Sequence, residues 1–538
     1  MNKYPSVELP ERTRILNKNN KKYVYYSISS EYQKGKKYSI DKRVLIGKID
    51  PNNPKKMIPN AKYFEIFASD EKLDDLQDDQ FNFAQNFGHF ILFEKVVQDL
   101  GLDQVLKEVF KDNTDIIKAL SYYFLTNQSL IIEDFEKWTF NNYCGLKSTP
   151  SQTVILKLLN KYINGQTIFD FNVKWVKHIQ QLFKDVKKVF VNFDEHNYSI
   201  EGNGSIINVV YLNDQHYGLP LFYKTYLNFV SSQTKWFIMG EEAYNLGFKD
   251  VSFVIDKSNG TSESINLMDE IKQKFICITQ THTKTIKDLV EKHKNDIQQN
   301  AFNYIDDFDV YGIKSKEKVY DDIDKKFNTY IFYSLEKANE EINSFKNIAK
   351  LLKENFLNIE KVNDSILWAS EEYLTIKYNK RTKHIQGINI NKEKLQEVID
   401  QSGYFVIISN TDLTIEEVLE MYGIKNNIDK IFNKVNQDSD IYETHLIDTT
   451  IINSNIFIGF ISAIISSFIY FKTKKLRSYD PDITLSTIID ELNKYIVLNE
   501  NGKLKRKYKI TTKQEEFFNC FEIDEDYILS FINKLNDC

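Results

Sequence analysis

The chain has 538 residues, 42% of them hydrophobic and 27% charged, with 8 Pro and 18 Gly. That is room for roughly three domains with real cores, and it excludes a disordered or collagen-like chain. The net charge of −6 excludes a polyanion-binding surface spread over the whole molecule, so any nucleic-acid contact must be local.

In chain order, residues 1–65 read as a small β-rich unit. Tyr23-Val24-Tyr25-Tyr26 and Val44-Leu45-Ile46 are strand candidates, with Lys34–Lys37 as a turn between them. From Glu11 to Lys62 there are 14 Lys/Arg against 4 Asp/Glu. Basic residues interleaved with tyrosines suit a phosphate-tracking surface or a solvated hairpin. Residues 66–180 show helical periodicity, for example Ile91, Leu92, Val96, Val97 and Leu100. This helical stretch would serve DNA binding or dimerisation, or be a plain bundle.

Residues 186–280 change to strands. Val189 to Asp194 is an apolar run ending on a carboxylate. Ile206–Leu212 and Leu219–Tyr226 follow, with Asn213–Gly218 as their turn. Lys235–Leu246 is helical, Val251–Asp256 is a second apolar run ending on a carboxylate, and Phe275–Thr279 is a further strand. Three strands, a helix and then more strands give the order of a ribonuclease H-like core. Residues 281–400 mix charged helices and polar strands, as an insertion would. Tyr404–Ser409 returns to the core over 401–471. The tail, 472–538, reads helix, hairpin, helix, with Asn501-Gly502 as the hairpin turn. The expected fold class is therefore α/β: a ribonuclease H-like core interrupted by a mixed α/β insertion, flanked by the small β-rich unit, the helical region and a small C-terminal module.

On the helix expected from Thr414 onward, Tyr422, Lys425, Asp429 and Asn436 fall within one narrow stripe at about 100° per residue. An apolar stripe of Ile424, Ile428, Ile431, Phe432 and Val435 lies beside it, so Asp429 sits at the edge of a buried face. Thr449–Phe471 carries no charge and is long enough to span a bilayer, but its Asn and Ser residues suit a buried core helix better. The cysteines (Cys144, Cys277, Cys520, Cys538) form no paired motif, which argues against structural zinc and for a reducing cytoplasm. The first twenty residues are polar and charged, so no secretory leader is expected.

Asp194 and Asp256 each end a strand and Asp429 edges a helix. Three such carboxylates can converge where α/β sheets bind ligands. All-oxygen ligation suits Mg²⁺ or Mn²⁺, and two such ions support phosphodiester chemistry. His196 would share a strand face with Asp194 if that strand continues. No G-x-S-x-G elbow, P-loop or H-E-x-x-H helix is present.

Several runs carry a resemblance. Tyr23–Tyr26, Lys42 to Pro51, Ile58-Pro59-Asn60, Gly403 to Ser409 and the Tyr422 stripe together resemble DDE transposases of bacterial insertion sequences, in the group with a Tyr-x2-Arg-x3-Glu-x6-Lys signature. The resemblance implies a ribonuclease H-like core with an insertion before the last catalytic helix. It matches Asp194 and Asp256 to the first two catalytic aspartates and Asp429 to the glutamate. Asp194 would then bridge two divalent ions, with Asp256 and Asp429 completing their ligands. Tyr422, Lys425 and Lys257 would contact phosphate. It also implies terminal inverted repeats and target DNA as partners, and a homodimer holding both element ends. Lys425 stands for the signature arginine and lacks its planar fork. Asn436 stands for the lysine, and Asp429 is about 1.5 Å shorter in reach than a glutamate. A transposase-derived DNA-binding protein without cleavage activity, and a membrane-anchored protein, are the alternative expectations.

Overall fold

The computed structural model describes residues 6–18, 21–32, 39–51, 53–60, 62–63, 66, 83–127, 129–200, 205–227, 229–280, 283–357, 359–441, 449–480, 482–500 and 502–537. Side chains at 193–200 and 431–441 are outside that description, and so are the expected turns at Lys34–Lys37 and Asn501. The chain forms two compact units, Met1–Phe83 with Glu500–Lys503, and Ala84–Asn499 with Leu504–Cys538.

The first unit is a five-stranded sheet of β1 (Val7–Glu8), β2 (Thr13–Lys18), β3 (Lys21–Tyr32), β4 (Ser39–Asp50) and β5 (Asn53–Pro59). Its order is β1-β5-β4-β3-β2 and every pairing is antiparallel. The Tyr23–Tyr26 and Val44–Ile46 runs pair with each other in β3 and β4. Val24, Ile46 and Met57 make a small core on one face.

In the second unit, a short β6 (Phe83–Asn86) leads into helices Gly88–Asp99, Leu102–Phe110, Thr114–Asn127, Ile132–Asn141, Gln152–Tyr162 and Gly165–Leu182. Around these packs the apolar helix, Thr449–Lys472. It touches Gly88–Asp99, Thr114–Asn127 and Gln152–Tyr162, and Ile456, Phe457, Phe460, Ile461 and Ile464 along it are fully buried. A helix apolar all round has no wet face and belongs in a core. Ser462 is satisfied within the core: its Oγ donates to Ile458 O at 2.8 Å and lies 3.3 Å from Ser121 O.

The central sheet has nine strands. They are β7 (Lys188–Ile200), β8 (Ser205–Asp214), β9 (Pro220–Leu227), β10 (Asp250–Ile255), β11 (Lys274–Ile278), β12 (Tyr304–Ile305), β13 (Val310–Glu317), β14 (Phe327–Tyr333) and, after β15 (Leu374–Tyr378) and β16 (Ile385–Ile390), β17 (Tyr404–Ser409). Their order is β12-β13-β14-β17-β11-β10-β7-β8-β9. β7, β8 and β9 form an antiparallel meander. The chain then crosses through helix Ser232–Asn245 to β10, which is parallel to β7, and through helix Ser262–Glu270 to β11, which is parallel to β10. β17, antiparallel to β11, carries the sheet on to β14 and β13.

Two features differ from the sequence reading. β7 does not stop at Asp194. It runs on to Ile200, with a register shift against β8 between Asp194 and Tyr198. Such a bulge breaks the alternation of faces, so His196 cannot be assigned to Asp194's face by parity. The stretch between β11 and β17 is also only partly outside the sheet, because β12, β13 and β14 extend it. The rest leaves the sheet after Tyr333 and returns at Tyr404, two residues paired with each other, and Ser334 N donates to Gly403 O at 2.9 Å. That excursion holds helices Leu335–Phe356, Asp364–Ser370 and Lys392–Gln401 and the β15–β16 hairpin. A last three-stranded sheet joins β18 (Ile496–Glu500) to β6 and β19 (Lys503–Arg506).

A candidate acidic site at the end of the central sheet

The site is built where β10 ends beside the middle of β7 and a helix crosses them. β10 pairs with β7 in register Val254↔Asn192. Two residues further along each chain come Asp256 and Asp194, so the backbone brings these two aspartates out side by side. The Asp194 side chain lies outside the described residues. After Asp256 the chain turns sharply: Asn259 N and Gly260 N both donate to Asp256 O at 3.0 Å, and Lys257 N donates to Asp256 Oδ1 at 3.0 Å. Gly260 is required there, since a Cβ would fall 2.4 Å from Cys277 Sγ in β11.

The crossing element is the site helix, Ile415–Ile441. It starts with a capping box: Glu417 N donates to Thr414 Oγ1 at 3.2 Å and Thr414 N to Glu417 Oε2 at 2.9 Å. Val418, Met421, Ile424 and Ile428 face the core, and the helix packs on β7 and β10. Ile424 fits over Gly218 in the β8–β9 turn, where φ is +68° and a Cβ would come within 3.0 Å of Ile424 Cγ1.

This seating drives Lys425 into the site. Its side chain is 4% exposed, ion-paired with Asp429 one turn on, and its Nζ is 3.9 Å from Asp256 Oδ1. Asn192 Nδ2 donates to Asp429 Oδ1 at 3.4 Å. A buried ammonium costs several kcal/mol without counter-charge, and two carboxylates from different elements supply it. The structure therefore brings Asp256, Lys425 and Asp429 together, with the Asp194 backbone in the adjoining strand β7. Asn192 is a member that sequence reading missed. Its only signal was a polar residue inside an apolar run, two positions before Asp194.

Tyr422 goes elsewhere. Its ring stacks on Phe405 of β17 at 5.5 Å, and Lys337 Nζ lies 4.8 Å from the centre of the same Phe405 ring. Lys257 is exposed just past Asp256. Lys337, from the excursion, was not foreseen either. Burial pushes its pKa down, the Glu341 carboxylate offsets this, and the nearby Lys257 charge adds to the lowering. The side chain of Asn436 lies outside the described residues. The buried thiols offer no nucleophile: burial pushes Cys144 up to about 11 and Cys277 up to about 12.

Does the donor set fit a divalent cation? Among the described residues no three His, Cys, Asp or Glu side chains are grouped to hold one. The oxygens present nevertheless suit a hard ion in kind. Asp256 and Asp429 approach one cation, and Asn192 Oδ1 is buried beside them with no hydrogen-bond partner among the described residues. The place between the two carboxylates is held by the Lys425 ammonium, so an ion binding both must displace it.

No family model matches this chain, and no curated protein matches its sequence. Among solved structures, the piggyBac transposase synaptic complex with hairpin DNA aligns over 83% of this chain and 85% of its own, at 10% identity and a TM-score of 0.28. A likeness that loose carries no argument about either fold or function.

Proposed function

We propose that the protein is a DDE-type transposase of an insertion sequence, acting in the cytoplasm on terminal inverted repeats and target DNA as a homodimer. The observation that carries this reading is the approach of Asp256 and Asp429 to one buried cation, beside the strand that bears Asp194. The strand order of the central sheet supports a ribonuclease H-like core: an antiparallel meander, a helical crossover, then parallel strands. The sequence resemblance supplies the family.

In this reading Asp194, Asp256 and Asp429 hold two Mg²⁺ or Mn²⁺ ions, which when bound polarise the scissile phosphate and offset charge on attacking and leaving oxygens. Lys257 neutralises phosphate at the cut end, and Lys425 would do so only once the ions displace its ammonium from between Asp256 and Asp429. The stacked Tyr422 and Phe405 form the apolar wall that fixes the helix. Water attacks phosphorus, the P–O3′ bond breaks, and a 3′-hydroxyl and a 5′-phosphate result. That hydroxyl then attacks a target phosphodiester, forming a new P–O bond and expelling the target's 3′-oxygen.

The deciding experiment uses purified protein and the DNA flanking its own gene, with Mg²⁺ or Mn²⁺, comparing wild type with Asp194→Ala and Asp429→Ala. Metal-dependent nicking at a defined end, lost in both variants, is expected. A second reading is favoured by one observation: Lys425 already neutralises the two carboxylates. It makes the protein a transposase-derived DNA binder without cleavage, and specific binding without nicking in either metal would establish it.

A further inference from the structure

We propose that Lys337 and Lys257 form a phosphate-binding subsite at the mouth of the acidic site, with Lys337 supplied by the excursion between β14 and β17. The proposal rests on the reading of the site as one that acts on DNA, and it names a substrate contact outside the resemblance.

Lys337 lies in the first turn of helix Leu335–Phe356, capped by Ser334, whose Oγ accepts from Lys337 N at 3.3 Å. A cation in a first turn meets the positive end of the helix dipole, an unfavourable place for it. The side chain nevertheless reaches over Phe405, with Nζ 4.8 Å from the ring centre. The ring that Lys337 covers is also the one on which Tyr422 of the site helix stacks. Lys257 follows Asp256 directly, its carbonyl accepts from Gln280 Nε2 at 3.2 Å, and Thr279 N, one residue back, donates to Val406 O at 2.9 Å, next to Phe405; the Lys257 charge also acts on Lys337. Glu341 offsets part of that repulsion, but one of its oxygens already accepts from Gly403 N at 2.8 Å. Two lysines thus flank the same stretch of β17, one directly after Asp256 and the other partly desolvated against an aromatic face. An arrangement that is electrostatically poor alone becomes favourable with an anion between the lysines. A phosphodiester has the charge and the several acceptor oxygens to bridge them.

The test is fluorescence anisotropy of a labelled duplex carrying the flanking DNA, with salt varied about fourfold. Lys337→Met keeps an apolar stem over Phe405 and removes only the charge. The slope of log affinity against log salt is expected to become shallower by about one unit in Lys337→Met, and by about one in Lys257→Met. Lys337→Arg should restore the wild-type slope, which a merely structural role would not require. An unchanged slope in Lys337→Met overturns the subsite while leaving the DNA reading standing. A wild-type protein with no salt-dependent duplex binding overturns the DNA reading itself, and the subsite with it.

Discussion

Replacing Lys425 by Met tests the electrostatics of the site directly. The methionine keeps much of the aliphatic stem in its buried slot and removes the ammonium between Asp256 and Asp429. Two unit charges about 4 Å apart attract by about 4 kcal/mol at a protein-like dielectric. Removing one partner of a buried pair costs about 3–5 kcal/mol. Asp256 is 30% exposed and Asp429 14%, so solvent and relaxation pull the expected loss toward about 3 kcal/mol. That loss should appear in chelator-containing buffer as a lowered thermal midpoint. Mn²⁺ should then reverse it, because an ion now meets the two carboxylates without the Lys425 ammonium between them. At about a hundredfold excess over its dissociation constant the ion returns about 2.7 kcal/mol. Retaining only a third of the lost attraction as metal affinity is about a tenfold gain, which Mn²⁺ titration followed by electron paramagnetic resonance would detect without any DNA. If Lys425→Met is as stable as wild type in chelator and binds Mn²⁺ no more tightly, the claim that Lys425 occupies the cation position is wrong.

Two buried groups give opposite pH signatures. Burial raises Asp214 from 3.8 to about 6, so the unfolded chain releases its proton first and stability falls as pH rises from about 4 to about 6. Asp214→Asn should abolish that loss of about 3 kcal/mol, seen as a flatter urea-unfolding profile. Burial lowers His89 from 6.5 to about 4, so stability is complete above about 6.5 and is lost as pH falls toward 4. His89→Leu should therefore resist acid better by about 3 kcal/mol over that window, and equal acid sensitivity in both proteins would count against it. Gly260→Ala should cost about 1–3 kcal/mol and disturb the Asp256 turn, because its Cβ meets Cys277 Sγ. Adding Cys277→Ala should recover most of the loss in a double-mutant cycle, and no recovery would refute the steric account.

What was legible in the sequence follows from the range of each interaction. The site helix was readable because helical spacing alone puts Lys425 and Asp429 on one edge of an apolar face. The individual strands were readable from short apolar runs with turns between them. Register was not readable: nothing local says that Val254 lies beside Asn192, which is what aligns Asp256 with Asp194. The extension of β7 past Asp194 was missed because Glu195 and His196 look like the end of an apolar run, whereas pairing with β8 holds the backbone extended. Asn192 was passed over because one polar residue in a strand has many explanations until Asp429 arrives beside it. Lys337 had no signal of its own, since its significance comes only from Phe405 and Lys257, both distant in sequence.

The way the excursion leaves and re-enters the sheet has an architectural consequence. Tyr333 and Tyr404 are cross-strand partners, Ser334 bonds back to Gly403, and Gly403 has φ +84°. Joined directly, Ser334 and Gly403 would close β14 and β17 as a tight hairpin with glycine at a turn position that favours it. Residues 335–402 thus behave as a cassette plugged into a hairpin tip, where added chain is tolerated without rebuilding the core. The acid-bearing framework and the cassette that brings Lys337 can therefore diverge separately. Chains of this architecture could exchange one cassette for another and change what the site grips while keeping the aspartates in place.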